Sequence, residues 1–315
     1  MNKKNSEIFE VIVIGGGVAG LSAAIYLNRF NLKSALITEL IGGAIINADV
    51  IENYPGYKEI KGDELLKILY EQSKSENIYL INERVIDINK KNDCFNVKTK
   101  KSEYYTKVII YCTGTEWKKL NVPGEKEFLG KGVHYCALCD GNFYKNKIVA
   151  VIGSGDGAIK ESLVLSEIAK KVYLIVRKDR LKGEPINIER VSKNGKVSIV
   201  FNSEVKEILG DKRVNKIILK SEKIGLHELE VDGIFIDIGR IALAELATKI
   251  GVEINKDGEI ITNKKMETNI KGFFAAGDVT NNSFKQAITS AYEGCRAAMS
   301  AYEYITHNNI KFHCQ

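Results

Sequence analysis

Two glycine-rich loops, each lying between an apolar strand and a helix, constrain this chain more than any other feature. The first is Gly15-Gly16-Gly17-Val18-Ala19-Gly20. Phe9 to Ile14, before it, is a short run rich in Val and Ile, the composition of a strand buried on both faces of a parallel sheet. Leu21 to Phe30, after it, continues at helical spacing. In a GxGxxG crossing the first glycine (Gly15) makes the turn and the second (Gly17) lets backbone approach a pyrophosphate. The third (Gly20) lets the helix pack on the strand, and the helix N-terminus faces the phosphates. A second strand, Ser34 to Thr38, ends at Glu39, 19 residues after Gly20. That is where a carboxylate meets a ribose hydroxyl. The bland alternative for Glu39 is a solvated strand-end carboxylate.

The second loop repeats the first. Ile148 to Ile152 reads as a strand, Gly153, Gly155 and Ala158 form GxGxxA, and Ala158 to Ala169 reads as a helix. Val172 to Val176 is the next strand, and no acid ends it. Arg177, Lys178 and Lys182 follow, and basic side chains there suit the ribose 2′-phosphate of NADP. The alternative is a solvated basic turn. Further strands are expected at Val197 to Phe201, Val214 to Leu219 and Val231 to Ile238, with the chain returning at Gly239.

In the first half, Gly42-Gly43-Ala44 and Glu52 to Tyr57 are loop signals with close backbone approach. Asp63 to Lys74 reads as a helix, Tyr79 to Lys98 as alternating strands and Val108 to Tyr111 as a buried strand. Near the end, Gly272 to Val279 reads as a strand ending in Gly277-Asp278, and Lys285-Gln286 opens a long helix from Ala287 to Ile305. The expected fold class is α/β, with two Rossmann-like dinucleotide-binding domains, the second inserted into the first. Residues 1–117 and 244–315 are expected to form the outer domain and 118–243 the inserted one.

Cys136-Ala137-Leu138-Cys139-Asp140 lies just upstream of the second strand and loop. Two cysteines at this spacing can close a small disulfide ring, and a CxxC beside a βαβ pattern reads as a redox dithiol. If the pair opens a helix, the helix N-terminus stabilises a thiolate on its first turn. Asp140, directly after the second sulfur, can exchange a proton with an attacking or leaving thiol. Half of a zinc site is the competing reading, but zinc takes four ligands, usually two such pairs. The other cysteines, at 94, 112, 295 and 314, form no second pair, and the four histidines are scattered, so no metal is expected.

Composition adds boundaries. The 315 residues are enough for two domains, and 44% hydrophobic with 27% charged content is globular rather than disordered. Six cysteines make no disulfide framework, which favours a reducing cytoplasm. No apolar run approaches the ~20 residues of a membrane helix. The first hydrophobic run ends in the glycines of the first loop, so no signal peptide is expected. The net charge of +6 is modest, and no nucleic-acid partner is expected.

With two dinucleotide loops, one within the other's domain, the sequence resembles the low-molecular-weight thioredoxin reductases over nearly its whole length. The matching stretches are Gly15 to Gly20, Glu52 to Gly56, Cys136 to Gly141, Gly153 to Ala158, and Gly277-Asp278 followed by Lys285 to Thr289. CxxCDG with 14 residues from Cys139 to Gly153 is specific to that class. Larger flavin disulfide reductases carry their cysteines soon after the ribose acid, and no cysteine lies between Glu39 and Asp93. The resemblance implies FAD on the first loop, with Glu39 on its ribose, Asn53 near it, and Asp278 and Gln286 near the ribityl chain and ring. Gly43 and Lys285 belong to the same implied set. It further implies NADP(H) at the second loop and thioredoxin or a similar protein as acceptor. It implies a homodimer and a rotation of the second domain. Cys139 would face the flavin, Cys136 would attack the substrate and Asp140 would supply the proton.

Several positions depart from that family. Its basic signature is His-Arg-Arg-x-x-x-Arg, and here those positions read Val176, Arg177, Lys178 and Lys182. Lysine keeps the charge but lacks the bidentate fork of arginine. Ile-Gly-His-x-Pro becomes Ile238-Gly239-Arg240-Ile241-Ala242, Ala44 replaces a glutamine and Tyr292 a small residue. Some relatives with this pattern take electrons from ferredoxin or a deazaflavin, so ferredoxin is a second candidate donor. A flavin-bound redox sensor and a ferredoxin–NADP oxidoreductase are the competing functions, and neither needs CxxCD. The tail, 307 to 315, carries Phe312, His313 and Cys314, and an aromatic ring there could stack on a flavin or simply fray.

Overall fold

The computed structural model describes residues 6–48, 51–221, 225–308 and 310. Phe312, His313 and Cys314 lie outside the described residues. The chain divides into two compact units, one built from residues 1–116 and 241–315, the other from the contiguous stretch 117–240.

In the first unit, five parallel strands lie in the order Phe273–Ala275, Ile109–Tyr111, Val11–Gly16, Ser34–Ile41 and Ile78–Asn82. The central strand is apolar throughout because both its faces are covered. Val11 and Val13 join one core with Leu21 and Leu27 of the helix Val18–Arg29. Ile12 and Ile14 point the other way, into a second core with Phe95, Val97 and Tyr104 of a neighbouring four-stranded sheet. Each fully buried Ile or Val contributes roughly 1.5–3 kcal/mol. The C-terminal helix Ala287–His307 lies against Val18–Arg29, so close that a Cβ on Gly294 would sit 2.1 Å from the Ala19 carbonyl oxygen. Several expected elements differ in extent: the first strand is Val11–Gly16 and its helix starts at Val18. The strand from Ser34 runs past Glu39 to Ile41, and only Phe273–Ala275 of the expected Gly272–Val279 strand pairs. Gly277, at φ +84°, turns the chain out of the sheet.

The second unit has its own five-stranded parallel sheet, ordered Val133–His134, Gly233–Ile236, Ile148–Ile152, Lys171–Ile175 and Val197–Val200. Ala150 and Ile152 face an antiparallel three-stranded sheet formed by Ser203–Gly210, Val214–Ser221 and Gly225–Glu230. Val149 and Val151 face the helix Asp156–Ile168. A strand of alternating facing with no polar residue therefore serves two cores at once, as in the first unit. The disulfide stretch sits at the carboxyl end of the short strand Val133–His134, against the middle of that helix, where the Ala137 N–H meets Glu161.

Candidate active site

Cys136 and Cys139 are joined by a disulfide, their Cα atoms 5.4 Å apart. Cys136 caps the single helical turn Ala137–Asp140 from an extended conformation, and its sulfur accepts a hydrogen bond from the Cys139 N–H at 3.1 Å. That N–H stabilises charge on Cys136 once the pair is reduced. Cys136 is buried and Cys139 exposed. The expected helical opening is present, but it is one turn, so the local N–H rather than a long helix supplies the stabilisation.

Three residues that sequence reasoning passed over complete this neighbourhood. Asp140 accepts from His134 across 2.9 Å between Oδ2 and Nδ1, and the other His134 nitrogen lies 2.7 Å from the Tyr144 hydroxyl. Beneath the turn, Glu161 accepts from the Ala137 N–H at 3.2 Å, while its second carboxylate oxygen is buried without a hydrogen-bond partner. Burial, and then the charge of Asp237, push the Glu161 carboxyl up to about 8. Asp237 is itself raised by burial, which Arg240 opposes. An open groove of about 560 Å³ runs beside the disulfide, lined by Cys136, Cys139, Asp140, Leu129, Phe143 and Arg213 among others. Leu129 is 53% and Phe143 71% exposed, an apolar rim left uncovered among the described residues.

The first glycine loop has the shape that a dinucleotide requires. A Cβ on Gly20 would lie 1.9 Å from the Gly15 oxygen, and one on Gly15 would lie 2.3 Å from the Cys112 oxygen. Gly17 has only the Gly42 oxygen at 3.6 Å, so its backbone stays approachable, and Gly43, at φ +80°, lies alongside it. The helix that follows has no side-chain cap and no acid in its first turn, so its amide groups are free to meet an anion. Glu39 is exposed at the edge of a second open groove shared with Thr38, Lys67 and Asn82, and Arg84 lies 3.6 Å from its carboxylate. These residues fit a bound FAD: an uncapped N-terminus for the pyrophosphate and an accessible carboxylate for the ribose.

Residues far apart in sequence meet at the other end. Asn53 Nδ2 donates to Gln286 Oε1 at 3.2 Å, and Ser290 donates to Asp278 at 3.3 Å. The buried Glu293 carboxylate accepts from the Gly277 N–H at 2.7 Å and from Thr280 at 3.1 Å, fixing the loop that carries Asp278. Lys285 turns inward. Its ammonium donates to the Asp278 and Thr280 oxygens and pairs with Glu259 at 2.8 Å. It therefore holds the loop rather than presenting a free cation.

At the second loop, a Cβ on Gly153 would lie 2.0 Å from the Asp237 oxygen, while Gly155 is open. The Lys182 N–H donates to the Ser154 oxygen at 2.7 Å, which folds the basic turn onto the loop. Arg177, Lys178 and Lys182 are all exposed there. Ala158, the last residue of the motif, is fully buried against the strand. Asp156 in the first helical turn is already committed. Burial opposes its charge, but Lys160, Asn187 and the Glu184 N–H outweigh that and hold its pKa below the usual range. Among the described residues, no group of three or more His, Cys, Asp and Glu side chains is placed to hold a metal ion. No helix among them is long and apolar enough to cross a membrane.

The sequence profile of the pyridine nucleotide-disulphide oxidoreductase family matches residues 9–294. A thioredoxin reductase of Treponema pallidum is 39% identical over 300 residues, 94% of this chain and 97% of that protein. The crystal structure of Lactococcus lactis thioredoxin reductase superposes with a TM-score of 0.92 at 37% identity, covering 95% of this chain and 99% of its own. A structure from Clostridium acetobutylicum, described as a ferredoxin-flavin thioredoxin reductase, matches at 34% identity and a TM-score of 0.53, covering 96% and 100%.

Proposed function

The chain belongs to the pyridine nucleotide-disulphide oxidoreductases, within them to the low-molecular-weight thioredoxin reductases, and from that premise we propose that it carries electrons from NADPH to a thioredoxin-like protein. The observation that carries the reading is the closed Cys136–Cys139 pair at the rim of an exposed apolar groove, with Asp140 beside it. A sensor needs neither the acid nor the groove. We further propose that the enzyme works as a homodimer in the cytoplasm.

Gly15, Gly17, Gly20, Glu39, Gly43, Asn53, Asp278 and Gln286 would hold FAD, with Lys285 bracing their loop. FAD, when bound, supplies two-electron exchange between a nicotinamide and a neighbouring disulfide. The protein's own sulfurs do the rest. Cys136 is the nucleophile toward the substrate disulfide, its thiolate favoured by the Cys139 N–H. Cys139 closes the ring again and releases the reduced product. Asp140 hands a proton to the leaving sulfur. Because Cys136 is the buried sulfur, the attack requires a rearrangement that uncovers it. The exposed Leu129 and Phe143 suit the apolar surface around a protein disulfide.

Glu39→Ala is expected to weaken FAD retention by roughly 1.5–3 kcal/mol, about one to two decades in affinity, through loss of charge-assisted bonds to ribose. Titration of the apoproteins with FAD reads this directly, and equal dissociation constants would leave Glu39 a solvated carboxylate.

For the donor, Gly153, Gly155 and Ala158 retain a loop open to a pyrophosphate, and Arg177, Lys178 and Lys182 supply positive charge where a 2′-phosphate would lie. This supports NADPH over NADH, with looser binding than an arginine pair gives. Ferredoxin is the second reading, favoured by Lys170, Lys171 and Arg180, which suit an acidic protein surface equally well. Anaerobic mixing of the oxidised enzyme with NADPH, NADH or reduced ferredoxin, followed by flavin bleaching, decides. Bleaching by NADPH at a rate lowered in Arg177→Ala/Lys178→Ala is expected; bleaching by ferredoxin alone overturns the choice.

A further inference from the structure

The two glycine loops are alike in backbone and unlike in charge. Each is braced by the residue that follows the neighbouring parallel strand. After Ile109–Tyr111, the Cys112 N–H donates to the Ile14 oxygen at 2.7 Å, and a Cβ on Gly15 would lie 2.3 Å from the Cys112 oxygen. After Gly233–Ile236, the Asp237 N–H donates to the Ile152 oxygen at 2.9 Å, and a Cβ on Gly153 would lie 2.0 Å from the Asp237 oxygen. Cys112 and Asp237 therefore hold the same place in their two sheets. That place lies outside the carboxyl ends of the strands, where this architecture receives ligands. Burial raises the Cys112 thiol above its ordinary range, so the first loop has an uncharged group there. The second loop has a carboxylic acid.

The Asp237 side chain reaches the loop itself. A Cβ on Gly157 would lie 2.0 Å from its Oδ2, and Gly157 is the second residue of the helix Asp156–Ile168. No side chain caps that helix, so the carboxyl lies beside the first turn without bonding its N-cap amides. A negative charge there meets the positive end of the helix, the field that a pyrophosphate would use. Asp156 adds a carboxylate in the same turn, paired with Lys160 at 2.8 Å. The helix after the first loop has no acid in its first turn. Glu161, one turn beyond Gly157, is pushed up to about 8 by burial and then by the Asp237 charge. Arg240 favours charge on both carboxyls, and the Gly239 N–H favours it on Asp237, while the Arg240 guanidinium lies 4.7 Å from the centre of the Trp117 ring. At neutral pH the charge of this pair therefore falls to Asp237 and the proton to Glu161.

We propose that Asp237 sets the affinity of the second loop for dinucleotides, its carboxylate repelling the pyrophosphate and holding NADP(H) and NAD(H) alike to weak binding. The proposal rests on the reading that this loop receives a pyridine nucleotide. Both nucleotides share the pyrophosphate, so the repulsion lowers their affinities together. Their ratio stays with Arg177, Lys178 and Lys182, which attract a 2′-phosphate. NADH has no such phosphate to offset the repulsion, and the lowered common level leaves it too weak to occupy the loop. A repulsive group thus reinforces the selection that the basic turn begins.

The test is calorimetric titration of the oxidised, FAD-loaded, full-length protein with NADP+ and, separately, NAD+ near neutral pH. Asp237→Asn keeps the shape of the side chain and an acceptor for the Gly239 N–H but removes the charge. Glu161 ionises more readily once Asp237 is neutral, so the same pair is also compared in a Glu161→Gln background. Both nucleotides are expected to bind about tenfold more tightly in Asp237→Asn, with their ratio unchanged. A merely structural role would loosen binding instead. Equal dissociation constants in wild type and Asp237→Asn overturn the proposal, and so does looser binding in a variant whose circular dichroism matches wild type. If Asp237→Asn does not fold, Asp237→Ala, which removes the whole carboxyl, is held to the same outcomes. Equal, measurable binding defeats the role of Asp237 alone. Failure of wild type and every variant to bind either nucleotide defeats the nucleotide reading of the loop as well.

Discussion

Cys136→Ser and Cys139→Ser are each expected to lower turnover of a thioredoxin-like disulfide by more than roughly a thousandfold, the scale on which loss of a covalent nucleophile acts. The two variants should fail differently. Without Cys139, Cys136 still attacks but nothing resolves the mixed disulfide, so the substrate protein stays attached. Without Cys136, neither attachment nor turnover occurs. Both should remain yellow, because the glycine loop and Glu39 belong to the other unit. Steady-state assays with NADPH and thioredoxin, and mass spectrometry of trapped complexes, read the two effects. Full activity in either variant would sink the mechanism and favour a flavoprotein that needs no dithiol.

Stability against pH should change nearly as much when Glu161 becomes glutamine. The wild-type carboxyl is held up at about 8, so between the ordinary carboxylic range and pH 8 the native state keeps a proton that the unfolded chain has lost. Unfolding then releases a proton, and wild-type stability falls as pH rises, by up to ~1.4 kcal/mol per pH unit from this group. Above pH 8 the buried charge is present in full, and its accumulated cost is a few kcal/mol. The amide of Glu161→Gln still accepts from the Ala137 N–H but carries no such slope. The variant should match wild type near pH 5 and melt several degrees higher near pH 9. Thermal melts at the two pH values check this, and an equal difference at both would show that the Glu161 proton does not distinguish native from unfolded chain.

Where close backbone approach demanded glycine, the sequence was transparent. Gly20 against the Gly15 oxygen and Gly153 against the Asp237 oxygen leave no room for a side chain, and a strand before each loop and a helix after it give the context. The apolar runs at 11–14 and 148–152 were equally plain, because strands serving two cores tolerate no polar residue. Side-chain partnerships made by tertiary packing were opaque. His134 and Tyr144 are ten residues apart on elements with no shared periodicity, and Glu161 meets Ala137 across 24 positions. Lys285 looked like a motif cation, yet Glu259, on a loop 26 residues upstream, captures it. The strand carrying Glu39 continued to Ile41 because Gly16 still pairs with it there, a register that no local propensity reports.

The division of the chain also sets an order of assembly on the ribosome. The strand Ile109–Tyr111 waits for Phe273–Ala275 to complete its sheet, and the helix Val18–Arg29 waits for Ala287–His307 to cover it. From residue 111 to residue 273 the ribosome adds 162 residues, roughly ten to thirty seconds of synthesis. During that interval the contiguous stretch 117–240 has all of its own strands and both of its cores available. The stretch with the disulfide is therefore complete as a polypeptide while the first unit still shows an unpaired strand edge and a bare helix face. Those two surfaces are where a chaperone would bind the nascent chain, and where a stalled chain would aggregate.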